Sequence, residues 1–274
     1  MSKALNSSEI DESPFIISLG GWCRPAWQIR RFFRSERAYP YDWHITSFSA
    51  LAFTLSPLYN HDSELRAENC LINQFGSITD NYSGLVFQHD LPAEIVGEWC
   101  HGVFLRNDGT VGSLLSNVRE KQKHIFSRFR EVATSGSPII FVRWLRGGHP
   151  DTEWPEAFNG ENPFKTYKLV KEFCGHENFK LLYVATETCS EDRSDNPASI
   201  TPTSYGGFVQ LNELDSNFVA GNEWTGDSAA WDKLFLELKT NWIDLSNNIS
   251  RESHNEHLEQ DHVTLSALES DKDN

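Results

Sequence analysis

PIIFVRWL (138–145), NPFKTYKLVKEFCG (162–175) and NFKLLYVATE (178–187) stand in succession near the middle of the chain. The first and third are apolar runs of strand length, as expected of strands buried on both faces. The segment between them has helical spacing and stops at Gly175, a common helix terminator. Two strands separated by a helix of this length imply a βαβ unit, because a parallel pair needs a long crossover.

Working outward, PFIISL (14–19) predicts a first strand at 14–18, and a helix is expected after Cys23. SLLSNVREKQKHIFSRFREVAT (113–134) is the clearest helix, with Leu115, Val118, Ile125, Phe126 and Phe129 at near-helical spacing. Ser47 is positioned to cap SFSALAFTL, and Asp227 to cap DSAAWDKLFLELKTNW. GLVFQHD (84–90) and FVQLNEL (208–214) read as further strands, and 58–83 as irregular chain with some helix. The expectation is an α/β fold with a mainly parallel central sheet and helices on both faces, a Rossmann-like three-layer arrangement. Residues 1–12 read as a disordered leader, 13–245 as a single α/β domain and 246–274 as a disordered acidic tail.

The net charge of −15, from 39 acidic and 24 basic side chains, disfavours a nucleic-acid or anionic-membrane footprint, which needs a basic face. No apolar run reaches the ~20 residues that cross a bilayer. The five cysteines are scattered without a C-x-x-C pair, so neither a disulfide framework nor a four-thiolate zinc site is expected. His254, His257 and His262 in the tail read as solvated, and no cofactor or metal is expected. The predicted setting is cytoplasmic, with a peptide or small-molecule substrate as partner and an oligomeric state left open.

Parallel sheets place their sites at the carboxyl ends of strands. Cys23 follows the first strand, His89 and Asp90 end LVFQHD, Arg143 lies in FVRWLRG and Glu187 ends LLYVATE. A cysteine at the start of a helix meets unpaired N–H groups and the positive dipole end, both of which favour the thiolate. His89 is the candidate base for Cys23, and Asp90, Asp42, Asn107 or Asp108 the candidate for orienting its ring. Gly20, Gly21 and Trp22 are candidates for the substrate side, and Arg143 for a substrate carboxylate. Each also has a structural reading: a buried thiol, a hydrogen-bonded histidine, a turn-capping aspartate, a buried ion-pair arginine. No H-E-x-x-H, P-loop or G-x-G-x-x-G is present.

SLGGWCRPAWQIRRFF (18–33) followed by YPYDW (39–43) resembles the opening of a bacterial family of unknown function described as papain-like cysteine peptidases. VFQHDLP, the basic helix KQKHIFSRFREV before IIFVRW, and WTGDSAAW (224–231) continue the likeness. The resemblance implies a thiol hydrolase using Cys23 and His89, and an α+β papain-like fold as the alternative architecture. Ile17 stands where papain-type enzymes carry an oxyanion glutamine, so an oxyanion here would rest on backbone N–H groups at the helix start. A non-peptidase acyl or glycan-modifying transferase, and a non-catalytic binding protein, are the alternative functions.

Overall fold

Alternate residues of the strand Ile139–Arg146 enter two different hydrophobic cores. Ile139 and Phe141 join one, while Ile140, Val142 and Trp144 join the other. A pleated strand sends successive side chains to opposite faces, so this strand is covered on both sides. The computed structural model describes residues 14–72, 77–87, 89–90, 109–146, 163–189, 200–214 and 227–239.

In chain order the elements are β1 (Phe15–Ser18), α1 (Arg24–Phe33), β2 (His44–Ile45), α2 (Phe48–Leu55), β3 (Cys70–Ile72), β4 (Ile78–Asp80) and β5 (Val86–Phe87). They continue with α3 (Gly109–Ala133), β6 (Ile139–Arg146), α4 (Pro163–Cys174), β7 (Phe179–Cys189), β8 (Thr201–Thr203) and β9 (Gly206–Leu214). A last helix, α5, spans 228–239. The larger sheet has the order β1-β6-β7-β9-β8. Its first four strands pair in parallel and only β8 runs antiparallel to β9. β2, β5, β4 and β3 form a second, antiparallel sheet.

Helices lie on both faces of the parallel sheet. On one, Ile29 of α1 and Trp231, Leu234, Phe235 and Leu238 of α5 pack with Val142, Leu182 and Val209. On the other, Leu51 and Leu55 of α2, Leu115 and Phe129 of α3 and Val170 of α4 pack with Ile17, Phe141 and Leu181. All five apolar positions expected on α3 are buried. The expected caps also form: Ser47 Oγ accepts from Ala50 N at 3.1 Å and Asp227 Oδ1 from Ala229 N at 2.9 Å.

The fold is therefore mixed α/β with a mostly parallel five-stranded sheet, as expected, plus a second sheet. Two readings need correction. β5 belongs to the antiparallel sheet beside β2, so LVFQHD does not end a strand of the parallel sheet. The stretch 58–83 contains β3, β4 and two short 3₁₀ turns; strands of three residues are too short to carry a visible alternation. The expected leader and acidic tail lie outside the described residues. No helix among the described residues is long and apolar enough to cross a membrane.

Candidate active site

Cys23 is the N-cap residue of α1, reached from β1 through Leu19, Gly20, Gly21 and Trp22. Its carbonyl accepts from Trp27 N at 3.0 Å, which starts the helix. The turn needs glycine twice. Gly20 and Gly21 have φ of 74° and 95°, a region that a Cβ disfavours. A Cβ on Gly21 would stand 2.2 Å from the Trp144 carbonyl oxygen, and one on Gly20 would stand 2.9 Å from Thr46 Oγ1. The loop thus packs its backbone against β6 on one side and the segment after β2 on the other. Ser18 Oγ steadies it by accepting from Gly20 N at 3.0 Å.

The thiol is only 2% exposed. Burial pushes it up to about 11, and the backbone N–H and Arg24 offset only part of that shift. The helix start therefore does not yield the standing thiolate expected from the sequence: desolvation outweighs the dipole here. Cys23 is a thiol at neutral pH, and its chemistry depends on a base. Beside it, Trp22 is half-buried and its ring lies 6.1 Å from that of Trp144. The Arg24 guanidinium sits 4.7 Å over Trp144, whose Nε1 donates to Thr186 Oγ1 at 3.0 Å.

Arg143 is fully buried, and its Nη1 donates to the Leu19 carbonyl at 2.7 Å. This places the guanidinium under the loop that carries Gly20, where it supports the turn from within.

YPYDW folds as a turn linking α1 to β2. Asp42 is buried, its Oδ2 accepts from Tyr39 N at 2.9 Å, and Arg30 Nη1 lies 4.0 Å away. Burial pushes its carboxyl up to about 7, against the Tyr39 hydrogen bond and the charges of Arg30 and His44. The backbone contact is that of a turn cap.

His89 and Asp90 follow β5 and have different surroundings. The exposed His89 ring meets Trp43 edge to face, centroids 6.0 Å apart and planes at 83°. Partial burial lowers its imidazole below the ordinary 6.5, Asp90 opposing and His44 reinforcing. It is neutral at pH 7, the state a general base requires. Asp90 instead faces His44: Oδ2 lies 3.0 Å from His44 Nε2, Lys121 Nζ donates to Oδ1 at 2.6 Å, and Gln122 Nε2 to Oδ2 at 3.4 Å. Burial works to raise Asp90, but the His44 contact and Lys121 hold its carboxyl well below the usual carboxylate range. His44 Nδ1 in turn donates to the Pro40 carbonyl at 2.6 Å.

The structure thus brings Asp90 to His44 and α3, and His89 to Trp43. Segment 41–46 lies between the two halves, touching Gly20 through Tyr41 and Thr46 and His89 through Trp43. Asn107 and Asp108 lie outside the described residues, as does the side chain of Glu187.

A family model matches residues 15–154, just over half of the chain, from β1 through the end of β6. That family is described as a putative papain-like cysteine peptidase, a domain whose function is unknown. The chain belongs to this family. No curated protein and no solved structure matches it. The matched region holds Cys23, Asp42, His89, Asp90 and Arg143, while α4, β7, β9 and α5 lie beyond it.

Sequence reasoning missed His44, Trp43, Lys121 and Gln122. One signal was present. Gln122 falls on the stripe that carries Val118, Ile125 and Phe126, and it is 2% exposed. A polar side chain on the core face of an amphipathic helix needs a buried partner, and that partner is the His44–Asp90 pair.

Proposed function

We propose that this protein is a cysteine hydrolase acting on a peptide or amide bond, with Cys23 as nucleophile and His89 as general base and acid. The observation that carries the reading is the place of Cys23 in the matched family region: the N-cap of α1, on the loop beyond the carboxyl end of β1. Nucleophiles on strand–turn–helix junctions are presented to substrate in the same way in other hydrolases.

The chemistry follows from the protonation states. The Cys23 thiol is protonated at neutral pH and the His89 ring is not, so the ring takes the thiol proton as sulfur attacks the carbonyl carbon. Backbone N–H groups at the start of α1 stabilise the oxyanion. Collapse of the intermediate breaks the C–N bond, and His89 returns its proton to the leaving amine. Water, deprotonated by His89, then hydrolyses the thioester and regenerates Cys23. Gly20, Gly21 and Trp22 border the substrate, Asp42 and Arg143 hold the two loops from inside, and Asp90 anchors the chain beside His89. No cofactor is needed.

Hydrolysis of a panel of fluorogenic amide and thioester substrates tests this. Cys23→Ala and His89→Ala should each lower turnover by at least about 100-fold. Turnover that survives in Cys23→Ala contradicts the assignment. A second reading, a binding protein in which Cys23 is a packing residue, draws on one observation, the 2% exposure of the thiol. It expects no turnover on any member of the panel.

A further inference from the structure

Trp43 is held from two sides. The Arg30 guanidinium lies 5.6 Å from the centre of its ring, within cation–π range. The His89 ring meets it edge to face at 6.0 Å, a favoured aromatic arrangement. Arg30 is itself fixed, since Nη2 donates to the Glu36 carbonyl at 3.3 Å and Nη1 lies 4.0 Å from Asp42. On the far side the backbone of His89 is pinned by its neighbour, because Asp90 is engaged by His44, Lys121 and Gln122.

A histidine that serves a nucleophile must be kept in one orientation, and in many enzymes a carboxylate does this. Asp90 is committed to His44. We infer that Trp43 is the positioning residue for His89: its indole, clamped by Arg30 from α1, fixes the tilt of the His89 ring. This inference rests on the proposed role of His89 as the base for Cys23. It joins the helix that carries the nucleophile to the ring that would serve it, because Arg30 lies on α1 about two turns beyond Cys23.

Among the described residues, the charged and titratable groups that bear on His89 include Asp90 and His44, with Arg30 and Asp42 on the other side of Trp43. The experiment follows the His89 Cε1 proton by NMR across pH, beside alkylation of Cys23 by iodoacetamide at pH 7, in the full chain. Trp43→Ala should move the His89 titration upward toward 6.5, shift its proton resonance by loss of the indole ring current, and slow Cys23 alkylation roughly tenfold. Trp43→Phe keeps an aromatic edge and should restore most of both. Arg30→Gln, at a partly exposed helix position, removes the clamp without opening the core and should shift the titration by a smaller amount. A His89 titration and resonance that stay unchanged in both Trp43→Ala and Arg30→Gln overturn the inference. A shifted titration, with Cys23 alkylation equally fast in wild type, Trp43→Ala and His89→Ala, supports the hold of Trp43 on His89 and overturns the thiol–imidazole reading instead.

Discussion

His44 Nε2 lies 3.0 Å from Asp90 Oδ2, with the two side chains only 1% and 5% exposed. The pair ties β2 to the residues after β5, and Lys121 and Gln122 extend it to α3. Through it, polar side chains of the long helix reach the second sheet.

Removing one member of such a pair leaves the other buried without its partner. Asp90→Asn and His44→Ala should each destabilise the fold by about 3–5 kcal/mol. Lys121→Met removes an exposed partner and should cost no more than about 1 kcal/mol. Urea unfolding of the three variants checks this ranking, and equal midpoints would contradict it. The pH dependence has a definite sign. The folded state holds the Asp90 carboxyl below its ordinary 3.8, so its contribution is complete above that value and is lost as pH falls beneath it.

Asp42 titrates in the opposite sense. Its carboxyl, at 3.8 in the open chain, is pushed up to about 7 in the fold. Between those values the folded chain keeps a proton that the unfolded chain releases, so this group's contribution to stability declines as pH rises across the window. Asp42→Asn lacks the titration. The stability difference between wild type and variant, measured by urea unfolding at pH 5 and pH 7.5, should move in favour of the variant at the higher pH. A difference that is the same at both values contradicts the assignment.

Gly21 has no room for a side chain. A Cβ there meets the Trp144 carbonyl at 2.2 Å with backbone on both sides, and its φ is 95°. Gly21→Ala should cost more than about 3 kcal/mol, seen as a large drop in melting temperature or as loss of soluble protein. A variant that melts with wild type would show that the turn is not fixed by this contact.

The sequence made some of these features legible and hid others, for physical reasons. β6 and β7 were plain because a strand covered on both faces is apolar throughout, and α3 because its buried stripe has the helix period. The N-caps Ser47 and Asp227 announced themselves by residue type. β2 and β5 are two residues long and β3 and β4 three, too short to show any period, so the second sheet leaves no mark in the sequence and LVFQHD reads as a strand of the parallel one. The position of Cys23 at the start of α1 followed from the glycines before it. Its protonation did not, because desolvation depends on what packs over the sulfur. The choice of Asp90 for His44, 46 residues away, is a tertiary event that no local spacing records. Gln122 alone, polar on an apolar face, marked the place.

Whether His89 serves Cys23 as its base is read from the pH profile of Cys23 alkylation with iodoacetamide between pH 6 and pH 9. An unaided thiol near 11 reacts about tenfold faster with each added pH unit through this range. A thiol served by His89 levels off once the ring is neutral, and the ring's value lies below 6.5. Cys23 should show a nearly flat profile that becomes steep in His89→Ala, and should react faster than Cys70 and Cys174, free thiols buried as it is. A steep wild-type profile that His89→Ala leaves unchanged, with Cys23 no faster than Cys70 and Cys174, would contradict it.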